Sequence, residues 1–199
     1  YNKNKDMNLS YDNIKKSIED KGYLFFTGHG NINLVGIRTS NLITNVFDDV
    51  FLVVYEDNGA KVVEAYDAFT TDPGKYYSKY QLLNKEGVAI LKPGQHRGMW
   101  KIGKHRGKYE AGVQASKVTV YRDNNLDTTI DVEKDDTGRF GINLHHAYNA
   151  KVVGKYSAGC QVFQYPIDLD KVLYRMKLSG KIYGDTFTYT LLEKKDICK

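Results

Sequence analysis

The sequence predicts a mainly β protein, a β-sandwich or open barrel with a short N-terminal helix and a second helix late in the chain. Three observations carry this. Short runs rich in β-branched and aromatic residues recur between Tyr23 and Ala147. Clusters of Gly, Pro, Asn and Asp separate them. Apolar periodicity of the helical kind is confined to one segment on either side of this region.

Residues 1–9 are polar and aperiodic and read as a tail or linker remnant, leaving residues 10–199 as one domain. Ser10 is placed to cap a helix over Tyr11 to Lys21, with Leu9 and Ile14 spaced as a hydrophobic staple and Gly22 as the stop. Strands are expected at Leu34 to Arg38, Phe51 to Glu56, Lys61 to Ala68, Val88 to Lys92, Lys117 to Arg122 and Gly141 to His145. The turns between them include Asp57-Asn58-Gly59, Asp72-Pro73-Gly74, Pro93-Gly94 and Asp123-Asn124-Asn125. Beyond Cys160, Asp168 is placed to cap a helix whose Leu169, Val172, Leu173 and Met176 share a face and which Gly180 ends. Thr186 to Leu192 then alternates as a closing strand.

A chain of 199 residues can bury a core without disulfide or metal staples. With 41% hydrophobic and 27% charged residues it has an ordinary globular composition, and no apolar run approaches the roughly 20 residues a membrane span needs. It starts at Tyr1 without a methionine and is read as a fragment or processed product. The net charge of +5 is spread along the chain, which argues against a nucleic-acid module and suits either a solvated surface or an anionic polymer such as a bacterial wall.

The chemistry is concentrated in Gly141-Ile142-Asn143-Leu144-His145-His146 and Ser157-Ala158-Gly159-Cys160. A cysteine needs a base to deprotonate it and donors to hold the oxyanion formed on attack. His145 or His146 can be the base. Gly159 permits a tight turn, so that the amides of Gly159 and Cys160 can point together at a carbonyl oxygen, and the Ser157 hydroxyl can fix that turn. A Cys160–Cys198 disulfide would consume the nucleophile, but Cys198 lies in a terminal segment expected to be mobile.

His29, His96 and His105 show no zinc-protease spacing, and two of them stand beside arginine. Asp123, Asn125 and Asp127 match the first ligands of a calcium loop, yet the loop glycine is missing and Lys134 stands where a glutamate is needed; a turn with Asx hydrogen bonds is expected. No metal or cofactor is expected. Pro93 to Lys108 carries four glycines among Arg97, Trp100, Lys101, Lys104 and Arg106, and reads as a cationic hairpin or a basic lip over the site.

His145 followed by Ser157-Ala158-Gly159-Cys160 resembles the active-site signature of the L,D-transpeptidase (YkuD-type) catalytic domain, which carries Ile-His-Gly, a loop, and Ser-His-Gly-Cys. Thr70-Thr71-Asp72-Pro73-Gly74 is similar to an early turn of that family. The resemblance implies that Cys160 is the nucleophile and His145 its base, preferred over His146 on this match, with the carbonyl of His146 orienting the imidazole. It implies peptidoglycan stem peptides as substrates, a thioester acyl-enzyme, and an extracytoplasmic setting. Ala158 replaces the family's second histidine, and Val162 takes the place of its arginine. These departures are similar to phage-derived members and shift the expectation toward hydrolysis over cross-linking. The rival expectation is a non-catalytic virion or wall-binding protein that keeps the fold.

Overall fold

The computed structural model describes residues 7–39 and 43–197. Eleven strands, β1 (Asn33–Arg38), β2 (Asp49–Asp57), β3 (Ala60–Thr70), β4 (Val88–Leu91), β5 (Gly94–His105), β6 (Tyr109–Gln114), β7 (Val118–Asp123), β8 (Asp135–Gly138), β9 (Leu144–His146), β10 (Gln161–Phe163) and β11 (Thr186–Glu193), are joined by helices α1 (Tyr11–Asp20) and α2 (Pro166–Tyr183). Eight strands close on themselves in the order β1-β11-β5-β6-β9-β10-β3-β2. The remaining three form a small sheet, β4-β7-β8. The sheet is therefore a closed barrel with a second sheet against it, where an open barrel or a simple sandwich was expected.

Period-2 alternation decides the packing. Leu34, Phe51, Val53 and Tyr55 join one apolar cluster with Phe69, Trp100, Phe163 and Tyr189. Val35, Ile37, Val50, Leu52 and Val54 face the other way, onto Ile14 and Ile18 of α1. Because both faces are covered, β1 and most of β2 are buried throughout. Leu169, Val172, Leu173 and Met176 place the predicted face of α2 in the first cluster.

The helix ends differ from expectation. Ser10 occupies the N-cap of α1, but its side chain makes no capping bond; it is exposed, so water can satisfy the first-turn amides. Leu9 packs in the same cluster as Ile14, as does Met7, so residues 7–9 are attached to the body. Gly22 ends α1 with φ +74°. Asp168 does not cap α2: Tyr165 holds that position, Pro166 starts the helix, and Asp168 lies in the first turn. Nor does Gly180 stop it; the helix runs to Tyr183 and Gly184 follows with φ +101°.

Strands β5 and β6 carry glycines that hide their pattern. A Cβ at Gly103 would lie 2.6 Å from Val113 across the hairpin, and one at Gly112 would lie 3.0 Å from Leu144. The strand expected from Gly141 pairs only from Leu144, because the side chain of Gln114 accepts the amides of Phe140 and Ile142 instead of leaving them to a neighbouring strand.

The ends of β1, β2 and β3 meet in a buried charge cluster. Asp49 accepts the amides of Thr39 and Thr71 and the Thr71 hydroxyl. Arg38 donates to Thr71 and to the carbonyl of Leu91, and lies 3.3 Å from Asp72. Burial, and then the charge of Asp49, push the Asp72 carboxyl well above the usual carboxylate range. A raised folded-state pKa favours folding below the unfolded value and loses that contribution as pH climbs through the folded one. Asp72→Asn is therefore expected to melt no lower than wild type at neutral pH and to flatten the fall in melting temperature above pH 4. Thermal melts across pH 4 to 8 measure this; an unchanged slope would refute it.

Candidate active site

Parallel pairing of β9 with β10 sets Leu144 beside Gln161 and His145 beside Val162. The histidine and cysteine segments are thereby brought together by the ladder itself, with the Gln161 amide bonded to the Asn143 carbonyl at 3.0 Å. Trp100 holds the incoming strand from beneath through a bond from its indole to the Ile142 carbonyl.

The cysteine loop is wedged between two close backbone approaches. A Cβ at Gly159, whose φ is +118°, would lie 1.9 Å from the carbonyl oxygen of Ala89 in β4. A Cβ at Gly74 would lie 2.0 Å from the carbonyl oxygen of Gly154, and the Gly74 amide donates to the Ser157 carbonyl. The Thr70 to Gly74 turn is thus part of the loop's support. Ser157 fixes the turn as expected, its hydroxyl donating to the Cys160 carbonyl and accepting the Gly159 amide, both at 3.0 Å.

That second bond corrects one expectation. The Gly159 amide is already committed to Ser157 and cannot also hold an oxyanion, which leaves the Cys160 amide from the expected pair. The amide of Asn143 faces the cysteine sulfur instead and favours its thiolate.

His145 and His146 separate cleanly. His145 Nδ1 lies 3.1 Å from the carbonyl oxygen of His146; donation from Nδ1 leaves the Nε2 lone pair as the basic site. Nε2 is buried without a hydrogen-bond partner. Burial, followed by the neighbouring His105, pushes the His145 pKa down to about 3. His146 points elsewhere: its ring stacks on Tyr109 at 4.2 Å and its Nδ1 accepts the Tyr148 amide. Cys160 is half-buried, its thiol directed to the Gly141 carbonyl at 3.4 Å and its pKa raised by burial. Cys198, the other cysteine of the chain, lies outside the described residues.

Cys160 and His145 line one cavity of about 450 Å³, with Ala89, Arg106, Arg139, Asn143 and Tyr156 among its walls. Among the described residues, no aspartate or glutamate lines it. His146 is absent from its lining. Part of the basic hairpin does form a lip: His105 stacks on His145 with ring centroids 4.1 Å apart and accepts the Asn143 side-chain amide, and Arg106 follows it at the tip. The rest does not. Trp100 is fully buried in the core, and Arg97 lies over Phe26 in a different cavity. His105 lies in the segment expected as a basic lip but is not itself an expected site residue, since only the pairing of the hairpin carries its ring to His145.

No family model, curated protein or solved structure matches this chain.

The remaining histidines are dispersed, His29 accepting the Asn58 amide and His96 bonding to the Lys92 carbonyl. No helix among the described residues is long and apolar enough to cross a membrane. Asp123, Asn125 and Asp127 form the expected Asx turns, with the Asp127 amide donating to Asn125 and the Thr129 amide to Asp127.

Proposed function

We propose that this protein is a cysteine acyl-transfer enzyme of the L,D-transpeptidase type, acting on peptidoglycan stem peptides outside the bacterial cytoplasm and favouring hydrolysis. The observation that carries the proposal is that His145 and Cys160 line one cavity, with Nδ1 held by the His146 carbonyl so that Nε2 is the basic site; in the resting protein Nε2 makes no hydrogen bond to the thiol, which is directed to the Gly141 carbonyl. The thiol proton passes to Nε2 as sulfur attacks the substrate carbonyl; the imidazolium then protonates the departing amine. The thioester is resolved by water, or by an amine where cross-linking occurs. The Cys160 amide is the backbone donor left for the oxyanion.

The acid-free cavity fits a substrate rich in carboxylates. Arg106 and Arg139 are exposed at its wall and form no ion pair among the described residues, and the charge of Arg106 is felt at both Cys160 and His145. They supply the positive charge that Val162 cannot. Arg106→Gln and Arg139→Gln are expected to raise KM by about tenfold each on a stem tetrapeptide, with little change on its C-terminal amide, if each loses one charge-assisted contact of about 1.5–3 kcal/mol. Equal losses on both substrates would remove the arginines from substrate recognition.

Incubation with purified muropeptides followed by mass spectrometry tests the function. Loss of alanine or a cut cross-bridge, absent in Cys160→Ala, supports hydrolysis. A product heavier by a joined stem means transpeptidation. No change over hours, together with retained binding to walls, favours the rival wall-binding protein.

A further inference from the structure

Helix α2 is apolar on two opposite faces. Leu169, Val172, Leu173 and Met176 are buried in the cluster that fills the barrel. Ile167, Tyr174, Leu178 and Ile182 follow one another at steps of seven, four and four residues, which lines them up on the outward face. They are 58%, 58%, 38% and 61% exposed. Apolar side chains scattered singly over a surface need no explanation, but four in one stripe along a single helix mark a surface that something covers.

The charges beside the stripe decide what covers it. Asp170 and Lys181 are both exposed and lie on the same flank, eleven residues apart, which is about 16 Å along the helix axis and too far to pair within one chain. Neither side chain has an ion pair or a hydrogen bond among the described residues. On that flank a cavity of about 530 Å³ runs between α2 and β5, with Lys101, Lys177 and Lys181 in its walls against one acid, Asp185. An anionic lipid surface covering the stripe would be repelled by Asp170. A second copy of this chain meets it with Lys181.

We infer that α2 is the contact helix of a symmetric homodimer, in which the helices of two copies pack antiparallel about a two-fold axis at Met176. Such an axis reverses the chain direction and keeps like flanks facing, so Asp170 of each copy meets Lys181 of the other at the edge of the basic cavity. The same axis sets Tyr174 of each copy against Leu178 of the other, and lays Ile182 along the aliphatic stem of Lys171. All three pairings have their midpoint within a residue of Met176, so one register buries the stripe and pairs the charges together. One helix face from each chain is a small interface, for which a dissociation constant of about 10 µM is expected.

Sedimentation equilibrium of the full chain from about 1 to 200 µM tests the inference, with a monomer–dimer equilibrium expected in that range. Leu178→Asp, at an exposed position in the middle of the stripe, is expected to be monomeric throughout with an unchanged circular dichroism spectrum. Asp170→Lys and Lys181→Asp are each expected to raise the dissociation constant at least about tenfold, because each sets like charges against one another across the axis. Mixed in equal amounts, these two variants should associate within about threefold of wild type, since every aspartate then meets a lysine. Wild type that stays monomeric at about 200 µM would overturn the dimer, as would monomers that pellet with phosphatidylglycerol vesicles, an outcome that gives the stripe to a membrane. A dimer that survives Leu178→Asp, or mixed charge variants that remain apart, would overturn the interface. None of these readouts depends on the acyl-transfer reading.

Discussion

His145→Ala is expected to reduce turnover on stem peptides by a factor of about 10² to 10⁴ while changing the iodoacetamide reactivity of Cys160 at neutral pH less than about threefold. The two rates part because the resting pair is uncharged. Burial raises the thiol above its ordinary value and pushes the imidazole down to about 3, so no thiolate–imidazolium pair forms before substrate arrives. The thiol is then the resting form at neutral pH, and alkylation should keep climbing with pH beyond the range in which an ordinary cysteine levels off. Turnover differs in the proposed mechanism, in which proton transfer to Nε2 accompanies attack and the cationic cavity walls favour the anion that forms. Alkylation rates from pH 5 to 10, set beside muropeptide turnover in both proteins, measure this. A rate plateau reached below pH 7 would mean a preformed ion pair and would sink the general-base mechanism.

Gly159→Ala is expected to cost about 3 kcal/mol or more of stability, or to force the cysteine loop off β4 and abolish turnover. Two penalties coincide at this residue: a φ of +118° that a side chain disfavours, and a Cβ 1.9 Å from the Ala89 carbonyl oxygen. Neither atom can move cheaply, because both are backbone. Gly107→Ala is the control, since it also has positive φ, +71°, but nothing within 4 Å of its Cβ. Denaturant melts should show a much larger loss for Gly159→Ala; equal losses would mean that backbone strain alone accounts for the effect.

Several elements could be read from the sequence because local rules and packing agree there. Ile14 and Ile18 lie on the buried side of α1, and Val50, Leu52 and Val54 alternate against Phe51, Val53 and Tyr55 in β2. In β5, β6 and β9 those rules fail. The glycines of β5 and β6 meet Val113 and Leu144 across the sheet, and Gln114 takes the amides ahead of β9, contacts between residues about ten to thirty positions apart that no local window contains. Asp168 has the chemistry of a cap, but Pro166 starts the helix two residues earlier with a φ already suited to it.

For the candidate site, the sequence by itself supplied the residue types and their order: a histidine at a strand end, then a serine, a glycine and a cysteine on one loop. It also supplied a reason for Gly159 and Ser157 in the turn. Only the tertiary structure separated His145 from His146, because the parallel β9–β10 ladder turns one ring into the cavity and the other under Tyr109. It alone set the His105 ring against His145 and selected Arg106 from the expected basic lip, and it removed the Gly159 amide from the oxyanion donors by committing it to Ser157. The physical reason is common to all three. Residue chemistry is carried by the side chain, whereas the direction of an imidazole ring or an amide N–H is set by strand pairing and by which partner each polar group has already found.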